Sequence, residues 1–154
     1  MPDFLFHLAE REEVRCFFVS LPSPFLGLYD NRPGEPPVIF LHKKIRHNRC
    51  LLRCILAEEL GHHFTSSGNL LAFARSDKKA IFLKQERLAV WWAVQHLIPM
   101  DKLIETVNSG LFSTWELAEH FNVTERFMGT SLRLYCEKNK TKMVKLKHML
   151  SEFN

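Results

Sequence analysis

Apolar positions follow two periods along this chain. Between Asp3 and about Glu13 they recur at helical spacing, and from Val14 to Ser20 the Cys16, Phe17 and β-branched Val19 pattern predicts a strand that Leu21-Pro22-Ser23-Pro24 ends. Gly27-Leu28-Tyr29 and Val38-Ile39-Phe40-Leu41 read as two further short strands. They are joined across Asp30 to Pro37, where Asn, Gly and three prolines specify a loop, so a small antiparallel sheet is expected. From about Asn48 to Phe64, Leu51, Leu52, Ile55, Leu56 and Leu60 return to helical spacing, with Ser66, Ser67 and Gly68 as the stop. A polar connection to about Phe82 leads to a helix over Lys84 to Leu97, terminated by Pro99. Asp101 is then expected to cap a helix ending near Gly110.

The last third opens on Ser113-Thr114-Trp115-Glu116, a pattern in which the Ser and Glu side chains satisfy each other's exposed amides at a helix start. A second helix can begin at Thr124. Two short helices joined around Asn122-Val123, with small Ala118 where they would cross, are similar to a helix-turn-helix. The chain thus divides into residues 1–110 and a helical segment, residues 111–154, packed on it.

Composition narrows the class. With 154 residues, 46% of them hydrophobic and 13 of them Phe, the chain can fill a core of its own. No apolar run approaches the roughly 20 residues that span a bilayer, and Asp3 stands where a signal peptide would carry basic residues. Four scattered cysteines, Cys16, Cys50, Cys54 and Cys136, show no zinc-ribbon pairing and suit reduced thiols, so a cytoplasmic protein without a membrane partner is expected. The net charge of +4 permits an anionic partner. Much of the excess lies in Lys138, Lys140, Lys142, Lys145 and Lys147, which with Met143, Val144, Leu146, Met149 and Leu150 read as an amphipathic terminal helix with a solvated basic face. Direct nucleic-acid binding through Ser113 to Tyr135 and this tail is not favoured. Arg126 and Arg133 could face phosphates, but Glu116, Glu119 and Glu125 would repel them.

The candidate chemistry sits on the third apolar segment. Glu58 and His62, four apart on a helix, project from one face and can grip one ion, with Glu59 beside them. In the related His-Glu-x-x-His pattern two such ligands hold zinc and the intervening Glu takes a proton from water. Here the first His is a Glu, which adds negative charge and hardens the donor set. Glu86 is the candidate third ligand, because it begins the stripe Glu86, Ala89, Val90, Ala93, Leu97, where an ionised carboxylate is costly unless paired or metal-bound. The bland alternatives stand beside these readings: a first-turn Glu86 favoured by the helix dipole, and Glu58, Glu59, His62 and His63 as i, i+4 pairs on an exposed helix. A register shifted to Glu59 and His63 leaves no residue in the base position, and Cys50 and Cys54 on the same stripe are better read as buried thiols.

The segment Cys54-Ile55-Leu56-Ala57-Glu58-Glu59-Leu60-Gly61-His62-His63-Phe64-Thr65 resembles the active-site helix of ImmA/IrrE family metallo-endopeptidases, especially members from prophages and mobile elements. Lys84-Gln85-Glu86-Arg87, Trp92-Ala93 and Leu97-Ile98-Pro99-Met100-Asp101-Lys102-Leu103-Ile104 are similar to the family's third-ligand helix and the segment after it. Gly27-Leu28-Tyr29 and Val38-Ile39-Phe40-Leu41 resemble its sheet, and Glu116 to Thr124 its helix-turn-helix-like portion. The resemblance implies an α+β zincin-like fold with a helical C-terminal part. It makes Glu59 the general base and His62 and Glu86 metal ligands, with Glu58 in the place of the first histidine. It further implies Zn, or another divalent metal such as Mn, and a protein substrate: a helix-turn-helix repressor of the element, inactivated by cleavage or by promotion of its cleavage. The rival expectation is a non-catalytic regulatory protein of the same fold that binds a repressor or toxin, and the replaced histidine is its support. No oxyanion donor is assignable; His63, His42, His96 and Tyr29 are the candidates, and Trp91 and Trp92 are read as core.

Overall fold

A computed structural model describes residues 3–66 and 79–139. The expected stop at Ser67 and Gly68, most of the polar connection to Phe82 and the basic tail from Lys140 lie outside the described residues. Six α-helices and three strands are described: α1 (Asp3–Arg11), β1 (Arg15–Val19), β2 (Gly27–Asp30), β3 (Val38–His42), α2 (Arg49–Thr65), α3 (Lys79–Leu97), α4 (Met100–Asn108), α5 (Thr114–Phe121) and α6 (Glu125–Lys138). A 3-10 turn, Lys43–Ile45, links β3 to α2. The fold class is α+β, with a helical C-terminal part. The chain forms two compact units, residues 1–93 and 94–154, the division falling within α3.

In the first unit the sheet order is β1-β3-β2, with β2 antiparallel and β1 parallel to β3. The expectation of an antiparallel sheet is therefore corrected to a mixed one. The physical reason is the order of arrival: β2 runs back against β1 without pairing to it, and β3, running in the direction of β1, enters between them. Strand signals fix where strands lie but not which neighbours pair. Alternation along β3 buries Ile39 and Leu41 completely, and Tyr29 of β2 pairs with Ile39. Leu52, Leu56, Ala57 and Leu60 form the buried stripe of α2, which packs on β2 and β3. Asn48 caps α2 by accepting from the Leu51 N–H, 3.1 Å, and Ser66 is the C-cap. Strand and helix limits agree with the sequence pattern to within a few residues, the largest departure being α3, which begins at Lys79 rather than Lys84.

The second unit also follows local signals. Ser113 caps α5 with both hydrogen bonds of the predicted box present. Asn122 takes the left-handed conformation, φ 53°, that turns the chain out of α5, and Thr124 caps α6. Leu117, Ala118, Phe127 and Met128 are buried where these two helices pack. Tyr135 donates to the Ile98 carbonyl at 2.6 Å. Asp101 does not cap α4: Pro99 holds the cap position without a side-chain bond, and Asp101 lies in the first turn, where its charge suits the helix dipole. No described helix is long and apolar enough to cross a membrane.

Candidate metal centre

The site is built on the C-terminal half of α2, and two glycines allow its neighbours to approach. A Cβ on Gly61 would clash with the Ala89 carbonyl oxygen and lie 2.8 Å from the carbonyl carbon, so α2 and α3 touch backbone to backbone at this point. One residue further along α2 and three residues earlier on α3, His62 Nε2 and Glu86 Oε1 consequently meet at 3.1 Å. The close crossing is what brings the two expected ligands together.

His62 is 8% exposed in its side chain and Glu86 40%, so the pair has one dry and one wet member. The other ring nitrogen, Nδ1, is 3.1 Å from Ser66 Oγ, which fixes the imidazole plane from behind. Sequence reasoning treated Ser66 only as a helix stop. Its spacing of four from His62 was the available signal for a partner role.

The Glu59 carboxyl lies against β2, within reach of the Glu86 charge. A Cβ on Gly27 would lie 2.5 Å from Glu59 Oε1 and 2.6 Å from Ile55 Cγ2, so the missing side chain of Gly27 is the space that the carboxyl occupies. Burial, reinforced by the charges of Glu58 and Glu86, pushes the Glu59 carboxyl up to about 8 against a partial offset from the Tyr29 backbone amide, which donates to it. The nearby Tyr29 hydroxyl lies 3.0 Å from His63 Nδ1. Burial lowers the His63 pKa, with Glu12 acting in the opposite sense. Phe64 stacks on half-buried Trp92 at 4.9 Å and 13°. His42 is engaged elsewhere, accepting from the Lys44 N–H at 3.1 Å to cap the 3-10 turn.

Glu58, half-buried, contributes charge near Glu59. It is not gathered with His62 and Glu86, since among the described residues no three His, Cys, Asp or Glu side chains converge to hold an ion. The donor set therefore fits a divalent cation at two positions: an imidazole nitrogen and a carboxylate oxygen at 3.1 Å suit neighbouring ligands of one ion bound at about 2.0–2.2 Å. The four cysteines form no disulfide with one another, Cys54 is buried, and among the described residues the Cys50–Cys54 stripe adds no cluster of donors. An open groove near the end of α1, lined by Glu10, Glu13, Val14, Arg15 and Cys16 among others, contains none of the motif side chains.

A small mixed sheet backing a helix whose Glu-Glu-x-x-His segment meets a Glu from the next described helix defines a metallopeptidase-like protein. The family model for the peptidase M78 group, the IrrE N-terminal-like domain, matches residues 9–133, and the chain belongs to that family. Neither the comparison with curated proteins nor that with solved structures gives a match. Membership supports a metal-dependent, protease-like function.

Proposed function

We propose that this protein is a zinc-dependent endopeptidase that acts in the cytoplasm on a helix-turn-helix repressor of a phage or mobile element. The observation that carries the peptidase reading is the meeting of His62 and Glu86 beside an inward-held Glu59. The repressor as substrate rests on the resemblance of the ordered segments to ImmA/IrrE endopeptidases of mobile elements. His62 and Glu86 would hold the ion, and Glu58, not gathered with them, would have to turn toward it to serve as the further donor. When bound, the cation supplies Lewis-acid polarisation of a peptide carbonyl and acidifies water.

The chain's own part is proton handling and orientation. With its carboxyl pushed up to about 8, Glu59 is largely protonated at neutral pH in the metal-free protein, the form that gives a proton to a leaving amine; the base role falls to the carboxylate form, which the Tyr29 amide hydrogen bond favours. Ser66 keeps His62 Nε2 directed at Glu86. Ser66→Ala is expected to weaken metal affinity about 10-fold or more, with little change in the thermal transition, as read by competition with a chelating dye.

A second reading, a non-catalytic regulatory protein that binds a repressor or toxin, draws on one observation: Glu58 replaces the first histidine and is not gathered with the other two donors. Metal content after dialysis separates the readings. Near-stoichiometric zinc in the wild type, lost in His62→Ala and Glu86→Ala, is the expected result. A wild type that stays empty when zinc is supplied selects the binding protein.

A further inference from the structure

The opposite end of α2 carries a different chemistry. From Pro36 to Ala57 the chain has no Asp or Glu, yet Lys43, Lys44, Arg46 and Arg49 fall within seven residues that form the 3-10 turn and the first residue of α2. All four are exposed, as are His47 and Asn48 between them. None of the four makes an ion pair among the described residues, and the first turn of α2 has no acid. Cations are thus crowded at the positive end of a helix dipole, an arrangement that disfavours the free protein and that an anion relieves.

The composition of the patch identifies the kind of anion. A protein partner would need an apolar anchor at the centre of the contact. No exposed large hydrophobic side chain falls within the segment from Val38 to His63 itself; the exposed Phe25 comes near it in the fold, next to Leu26, whose carbonyl accepts from the His42 N–H at 2.8 Å. Single-stranded nucleic acid would call for exposed aromatic platforms. Phe18 lies beneath Arg46, its ring centroid 5.1 Å from the guanidinium carbon, and orients that cation. What remains is Lys, Arg and Asn side chains at a helix start, the groups that contact phosphates without reading bases. We infer that Lys43, Lys44, Arg46 and Arg49 form a sequence-independent docking surface for the phosphate backbone of duplex nucleic acid. From Arg49 to His62 the helix runs about 20 Å, so a duplex seated there leaves the His62–Glu86 pair open. The inference stands without the peptidase reading.

The test uses the full chain and a fluorescent duplex of arbitrary sequence, about 25 base pairs long, with anisotropy followed over a range of KCl concentrations. Four phosphate contacts predict a slope of log affinity against log salt of about −3.6. Lys43→Gln/Lys44→Gln/Arg49→Gln is expected to bind at least about 10-fold more weakly near 0.1 M salt and to flatten the slope by about 2.7, while Lys43→Arg/Lys44→Arg binds as the wild type does. Circular dichroism checks the fold, and Lys43→Gln/Lys44→Gln, confined to the exposed 3-10 turn, serves if the triple variant does not fold. Unchanged affinity and slope in the Gln variants overturn the inference, because the phosphates are then held elsewhere. So does a wild type that ignores the duplex and binds polyglutamate instead, which would assign the patch to an acidic protein.

Discussion

Gly61→Ala is expected to remove both the stable fold of the first unit and any metal binding. The added methyl group would enter the space of the Ala89 carbonyl, which is backbone and fixed in the middle of α3. No rotamer change relieves that clash, so α2 and α3 must separate at the point where Leu60 and Ala89 are completely buried. Overpacking of this kind costs about 1–3 kcal/mol and more when backbone has to move, a large share of a small domain's stability. Even a variant that remains folded would hold His62 Nε2 and Glu86 Oε1 farther apart than 3.1 Å. Urea denaturation with zinc titration checks both parts. A Gly61→Ala protein with wild-type midpoint and metal content would show that the helices do not meet as described.

Glu59→Gln is expected to act in opposite directions on stability and on function. In the wild type the Glu59 carboxyl is pushed up from 4.5 to about 8, chiefly by burial and then by Glu58 and Glu86. A raised acid pKa means that the folded state holds the proton more tightly than the unfolded chain does. The stabilisation this gives is complete below about pH 4.5 and is lost progressively as pH rises to about 8. Glutamine has the shape of the protonated acid and no charge to bury. The metal-free variant should therefore gain on the wild type across that window, by a few kcal/mol at pH 8–9, as read from denaturation midpoints in EDTA. On the peptidase reading the same change abolishes cleavage while zinc remains bound, since the amide cannot accept a proton. A wild type whose stability does not fall relative to Glu59→Gln between pH 5 and 8 would show that the carboxyl is solvated.

The linear pattern already held much of this protein. Ser113 with Glu116 is a capping pair legible in the sequence, and Asn48 and Thr124, read there only as helix starts, also cap through partners three positions away, because such hydrogen bonding is local. The i, i+4 relation of Glu58 and His62 follows from helix geometry alone. The misplaced start of α3 and the role given to Asp101 were also local questions, but the chain ahead of Glu86 lacks a clear period, and Pro99 serves at the cap without any hydrogen-bonding side chain.

Tertiary structure decided the rest, because it depends on approaches between segments distant in sequence. β3 enters the sheet between β1 and β2 and makes it mixed, a choice of neighbour that strand periodicity does not encode. Gly27 and Gly61 look like ordinary small residues in the chain. Only packing reveals one as the seat of the Glu59 carboxyl and the other as the crossing of α2 and α3. The charge state of Glu59 was equally hidden, since it is set by burial against a strand some thirty residues earlier and by a carboxylate on the next described helix. Sequence by itself determined which residue types are available for chemistry; the depth at which they are buried, and hence what protons and ions they can hold, came from the fold.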